Sequence, residues 1–473
     1  MDAPEDAPEP VRSLRFFDLV FYTLAMTLAI RWIPVAAAAG PGSLILWGLA
    51  LVGFMAPLCL GTAELTTRFE GDGGLYAWTR RTFGPFWGYL CGWIYWTCNL
   101  PFFSGVLFFV VNVLAAAIGG RWGEALKSPV GVCIASAVLA AGVGLAHLRG
   151  LGAGKWLSNF GAAAAGALFL FLILSGGWLA LTGRSATNFA QARYTLPANA
   201  DTAILWATVV FAYGGPEALA FLKNDVQGGV RQILKVLLVV GVLLVFAFSL
   251  ATLGMLSILS AADISRLSGL PDTLKLALTR LGLGALAPAT LIGLAAALLG
   301  SYSAWFGVAA RLPFAAGADR LLPESFARRD PRTGAPRTAI LVQVAAVIVL
   351  VVVSQAGANL KAAYDFLVSM TLLSYILPFV FLFAVLIAVQ GRPAPEGAWT
   401  MPGGPWAARV VGWVGLIFTL SALICTLAPS PDAPDKVAAV VKLVLASAVL
   451  IGAGAAAYAL SRQFSTAAAG ARA

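Results

Sequence analysis

Residues 211–217 read Phe-Ala-Tyr-Gly-Gly-Pro-Glu and residues 29–34 read Ala-Ile-Arg-Trp-Ile-Pro, each in the middle of a long apolar stretch. Two glycines and a proline in series remove helix propensity and one backbone donor, so Gly214-Gly215-Pro216 interrupts any helix passing through it. Pro34, after Arg31 and Trp32, marks a second interruption. Inside a bilayer the peptide groups freed by such a break must face protein, water or a ligand. Arg31 and Glu217 place a charge at each break, where charge is costly and usually functional.

The sequence around these breaks is that of a multi-span membrane protein. Of 473 residues, 60% are hydrophobic and only 11% are charged, whereas a soluble domain carries roughly 25% charged residues. Uncharged runs such as Phe160–Thr182 are long enough to cross about 30 Å of hydrocarbon as helix. Charged, glycine- and proline-rich stretches divide the chain into twelve expected spans: 17–39, 44–67, 84–118, 129–148, 156–182, 201–222, 233–259, 285–310, 337–355, 364–390, 406–428 and 437–461. An all-α integral membrane fold follows, with the breaks in spans 1 and 6.

Spans 1 and 6 are five apart, so span 6 enters from the side opposite to span 1. The expected organisation is an N-tail (1–14), a five-helix unit (15–182), a second unit of inverted topology (183–390), two appended helices (391–461) and a C-tail (462–473). Interrupted helices at matching positions of inverted halves point to a substrate site near the bilayer midplane. Of the 31 basic residues, 20 fall in the N-tail, the even-numbered loops and the C-tail, 10 in the odd-numbered loops, and Arg31 within a span. This bias places both termini in the cytoplasm of a cell membrane. Segments 73–84 and 310–323 mix aromatics with arginines and are expected to lie along the interface.

Several classes are disfavoured. The net charge of +10 reads as anchoring at a membrane surface, since no basic run interleaved with aromatics lies outside the apolar blocks. Cys59, Cys91, Cys98, Cys133 and Cys425 lie in or beside apolar segments without metal-type spacing, and read as reduced packing residues. The acidic, proline-rich start is unlike a cleaved signal peptide. There is no nucleotide-binding glycine–lysine loop, and the single histidine, His147, has no evident catalytic partners. No filter-like repeat or ring of charge suggests a channel. A channel or membrane enzyme ranks below a carrier.

Four stretches carry a family likeness: 36–69 with its Ala-Glu-Leu close, 73–96, 211–225 and 300–323. Together they resemble the amino acid–polyamine–organocation permease superfamily, over spans 1 to 10. The resemblance implies the LeuT-like five-plus-five fold, secondary transport by alternating access, and a small amino acid or amine as substrate. It implies that Phe211 covers the substrate, that Tyr213, Gly214 and Gly215 form the unwound stretch, and that Glu217 is the family's common acidic residue. It places Trp96 and Asn99 near the pocket wall; a mid-membrane amide such as Asn99 needs a partner.

Two departures from the family stand out. Members usually carry a Gly-Ser-Gly type break in span 1, whose amides hold the substrate carboxylate. Here the Thr27–Ile33 region, with Thr27, Ala29, Ile30 and Arg31 as candidate contacts, has no glycine. Arg31 is the candidate replacement for the missing positive group; the alternative is a gating or structural charge. Glu217 is expected either to bind a substrate amine or to tie the loose ends of spans 1 and 6 together. Proton-coupled relatives place a lysine in span 5; here Ala162–Ala165 fill that region and Lys155 lies nearer the membrane edge, where a snorkelling role is expected.

No cofactor is expected beyond a coupling ion, sodium or proton. Ser301 and Ser303 are candidate sodium ligands shared with span 1 carbonyls, although residues two apart do not share one face of a regular helix. An amino acid is the first expectation for the substrate. A polyamine or other organic cation is the second, because residues 69–88 are similar to the corresponding stretch of plant polyamine carriers.

Overall fold

The computed structural model describes residues 15–69, 74–192, 194–195, 200–226, 229–265, 267–313, 322–355, 360–429 and 435–470. The N-tail 1–14 and residues 314–321 of the second interfacial segment lie outside the described residues, as does the side chain of Lys155. The described residues are helical with short connections and contain no β-strand.

Among the described residues, eleven helices are long and apolar enough to cross a membrane. Span 1 completes the set in two pieces, Phe16–Thr27 and Ile33–Ala38, each too short to cross alone. The others are span 2 (Ser43–Arg68), span 3 (Pro85–Ile118), span 4 (Pro129–Leu148), span 5 (Leu151–Leu181) and span 6 (Ala200–Ala212, then Pro216–Asp225). Span 7 (Gly229–Ile258), span 8 (Ala287–Ala309), span 9 (Arg337–Gln355), span 10 (Leu360–Val389), span 11 (Gly404–Cys425) and span 12 (Lys436–Gly470) follow. Span 12 continues nine residues beyond its expected end at 461. The interfacial segment after span 2 is a helix, Gly74–Phe83. The span 7–8 connection holds a helix, Gly269–Arg280, that hydropathy alone does not mark.

Large apolar side chains face outward along the spans, among them Leu174, Leu238, Phe246, Val349, Trp413 and Val449. Such a surface suits lipid rather than water. Within the bundle, small residues set the helix spacing. Gly161 of span 5 meets Gly300 of span 8 backbone to backbone, and Gly176 of span 5 meets Gly254 of span 7 in the same way. Small-residue crossings of this kind let membrane helices approach closely. They seat span 5 against both neighbours.

A buried polar knot closes one end of spans 2 and 10. Glu64 accepts from Gln390 Nε2 at 2.8 Å and from the Met401 N–H at 3.3 Å, and pairs with Arg68 at 3.4 Å. Arg68 donates onward to the carbonyls of Val389 and Arg392. The Ala-Glu-Leu close of span 2 therefore pins the end of span 10 and the connection to span 11. Its carboxylate is matched by several donors, as a buried charge requires.

Candidate functional site

Span 1 ends at Thr27 because Leu28 and Ala29 leave helical geometry, with ψ of 63° and 80°. A single turn, Ile30–Trp32, leads into the second piece, where Pro34 occupies a first-turn position that needs no donor. The N–H groups of Leu28, Ala29, Ile30 and Trp32 are all donated to nearby carbonyls within the break. In span 6, Tyr213 and Gly214 donate to Val210 and Phe211. Gly215 adopts φ +126°, a conformation that side-chain-bearing residues rarely adopt, and donates to Glu217 Oε2 at 2.7 Å. The expectation of bare peptide groups is therefore corrected at these donors: local turns absorb them.

The two breaks lie side by side and run in opposite directions. Trp32 meets Phe211 edge to face at 5.1 Å, while Thr27 packs where a side chain on Gly215 would stand. Between them is a narrow hollow, with about 20 Å³ open to the centre of a water-sized sphere. Thr27, Ala29, Asn99, Phe211 and Gly214 line it, as do Met26, Trp32, Phe102, Ala212, Trp305 and Tyr375. Phe211 also packs on Tyr375 at 4.6 Å, and Trp305 donates to the Met26 carbonyl at 2.9 Å. The wall is thus aromatic and mostly apolar, with few polar groups to orient a ligand.

Other expected site residues stand outside the lining. Tyr213 turns its hydroxyl to the Trp47 carbonyl at 3.2 Å. Trp96 donates to Gln343 Oε1 at 3.1 Å. Ile30 and Gly215 are packed behind the surface. Asn99 does line the hollow, and its amide donates to the Tyr95 carbonyl at 2.6 Å. Ser303 donates to the Gly154 carbonyl at 3.2 Å and lies 3.1 Å from His147 Nε2, so its hydroxyl is engaged between spans 5 and 8. Ser301 is half-buried.

The two charges, expected to contact substrate, both stand outside the hollow's lining and behave differently. Glu217 is fully buried and accepts from Tyr95 at 2.8 Å, Tyr375 at 2.9 Å and the Gly215 N–H. These bonds tie span 6 to spans 3 and 10. Arg31 is buried too, with its guanidinium 4.2 Å over the Trp32 ring and 4.6 Å over Phe102. Among the described residues it has no carboxylate within 4.0 Å, and its Nη1 has no hydrogen-bond partner. The indole N–H of Trp32 is likewise buried and unpartnered. Cation–π contacts partly compensate the guanidinium. Two orphaned donors at one break remain, and a native interior rarely leaves such groups without purpose.

A model of the amino acid permease family matches residues 14–456. The chain belongs to the amino acid permease family. The permease is 23% identical over 426 residues to an uncharacterized transporter of Legionella pneumophila, covering 89% of this chain and 91% of that one. It is 22% identical to the probable agmatine/putrescine antiporter of Lactococcus lactis, with 87% of each chain covered. It is 25% identical to the serine/threonine exchanger of Bacillus subtilis, covering 78% of the permease and 80% of the exchanger.

Tyr95, Trp32, Phe102, Trp305 and Tyr375, with Met26 and Ala212, are parts of the candidate site that sequence reasoning missed. Phe102 follows Asn99 at helical spacing, and Trp32 adjoins Arg31, so both carried a local signal. Trp305 and Tyr375 lie on unbroken helices among many other aromatics, and nothing in the sequence sets them apart.

Proposed function

We propose that this permease moves a small carboxylate-bearing amino acid across a cell membrane by alternating access, with both termini in the cytoplasm. The observation that carries this reading is the pair of buried, unpartnered donors, Arg31 Nη1 and Trp32 Nε1, at the span 1 break. A buried cation without a counter-charge favours a ligand that brings one. Glu217 points the same way, because three donors already occupy most of its roughly four acceptor sites and leave little capacity for a substrate ammonium. In this reading Arg31 and Trp32 take the carboxylate, Thr27 and Asn99 contribute polar contact, and Phe211, Phe102, Trp305 and Tyr375 enclose the side chain. Exchange of one solute for another is the transport mode, in keeping with relatives described as antiporters and an exchanger.

Counterflow in proteoliposomes tests the reading. Vesicles preloaded with a mixture of neutral amino acids should accumulate labelled amino acid, saturably, and carboxylate-free amines should compete poorly. Accumulation of agmatine or putrescine instead, with no amino acid counterflow, would sink it. That second reading has one supporting observation, the similarity to the Lactococcus antiporter.

A further inference from the structure

A second narrow hollow, also about 20 Å³ by the same measure, lies deeper along span 3. Tyr89, Trp93 and Trp96 of span 3, Tyr76 of the interfacial helix, and Leu312 and Pro313 after span 8 line it. The two hollows share two walls. Span 3 supplies Asn99 and Phe102 to the first, and Tyr89 to Trp96 to the second. Span 8 supplies Trp305 to the first, and its continuation supplies Leu312 and Pro313 to the second. On each wall the offset is seven or eight residues, or about 11 Å at 1.5 Å per residue, which returns to nearly the same helix face. The offsets have opposite signs in sequence because spans 3 and 8 cross the membrane in opposite directions. The hollows are therefore stacked on one line, the second toward the side from which span 1 starts.

Gln343 of span 9 marks the level between them. Its Oε1 accepts from Trp96, and its Nε2 donates to the Phe306 carbonyl at 3.2 Å, joining spans 3 and 8 there. Below this clasp the wall is a set of rings: Tyr89 stacks with Trp93 at 6.0 Å, and Trp93 meets Trp96 edge to face at 5.4 Å. Among the described residues no acidic or basic side chain lines the second hollow. Its polar feature of note is the Tyr89 hydroxyl, buried and without a hydrogen-bond partner.

We propose that this second hollow is a transit station that holds the substrate's ammonium group between the central site and the N-terminal side of the membrane. The inference rests on reading the permease as an amino acid carrier. Aromatic faces attract organic ammonium ions without a formal counter-charge, and the orphaned phenol oxygen can accept one ammonium N–H. The division of labour is chemical: the central break offers donors for a carboxylate, and the lower station offers π faces and an acceptor for an amine. Neither station satisfies both ends of the zwitterion, so the solute is not trapped at either.

The test uses ethylammonium chloride, which has an amine and no carboxylate, with quenching of tryptophan fluorescence in purified permease as the readout. In phosphatidylglycerol vesicles the permease should bind it saturably. Tyr89→Leu should weaken binding at least tenfold and Tyr89→Phe about threefold, while Arg31→Gln leaves it unchanged. Equal affinity in wild type, Tyr89→Leu and Tyr89→Phe would overturn the proposal. So would loss of binding in phosphatidylcholine vesicles alone, because a lipid headgroup would then be the occupant. Failure of amino acid counterflow with ethylammonium binding intact would instead strike the carrier reading.

Discussion

Arg31 and Glu217, the charges at the two helix breaks, are held at different levels of span 3 and do not pair. Arg31 lies over Phe102, and Glu217 accepts from Tyr95, seven residues earlier on the same span. That is about two helical turns, or roughly 10 Å. One charge accepts three hydrogen bonds and the other makes none through its Nη1. The asymmetry is what the proposed roles rest on: Glu217 holding the break in shape, and Arg31 meeting a ligand.

Replacing Arg31 with Gln should lower uptake of carboxylate-bearing substrates at least about tenfold, since a charged hydrogen bond contributes about 1.5–3 kcal/mol. The same change removes an unpaired buried charge, so the apparent Tm of the substrate-free permease should stay level or rise. Uptake assays beside scanning fluorimetry read both. Unchanged uptake would free Arg31 from substrate contact.

Tyr95→Phe removes one donor from Glu217 without touching the hollow's lining. A loss of about 1–3 kcal/mol in stability is expected, because the buried carboxylate then lacks a partner. Glu217→Gln should cost more, since one amide end presents N–H toward a position now filled by donors. Tm values for both variants measured without substrate, set against wild type, decide this. A stable Glu217→Gln permease with altered amine selectivity would instead make Glu217 a ligand.

Gly214 and Gly215 are separable. A Cβ on Gly214 would stand 2.6 Å from the Tyr375 ring, so Gly214→Ala is a packing defect whose clash, though not the lost Tyr375–Glu217 hydrogen bond, Tyr375→Ala should relieve. Gly215→Ala meets both Thr27 and an unfavourable φ, so Thr27→Ser should not rescue it. Expression and counterflow of the single and double variants test the distinction.

Gln390→Leu should loosen the connection between spans 10 and 11, because Glu64 loses its 2.8 Å donor. Faster hydrogen exchange over residues 391–403 is the expected sign. Exchange unchanged there would mean that Arg68 alone holds the connection.

Sodium should not be required for exchange. The Ser303 hydroxyl is already committed to Gly154, and His147 lies against it. Removing sodium at constant ionic strength should leave counterflow unaltered. A strict sodium requirement would return Ser301 and Ser303 to the role of cation ligands.

The sequence by itself determined the number and approximate bounds of the spans, the two breaks and their opposed directions. Hydrocarbon thickness fixes helix length, and glycine and proline act on the backbone locally, so these features are written in consecutive residues. It also singled out Thr27, Ala29, Asn99, Phe211 and Gly214, which do line one hollow. Only the tertiary structure decided which charge is free. Glu217 finds its partners on spans 3 and 10, 122 and 158 residues away in the chain, and no local pattern encodes so distant a match. The same holds for Trp305 and Tyr375, ordinary apolar positions until helix packing turns them toward the breaks.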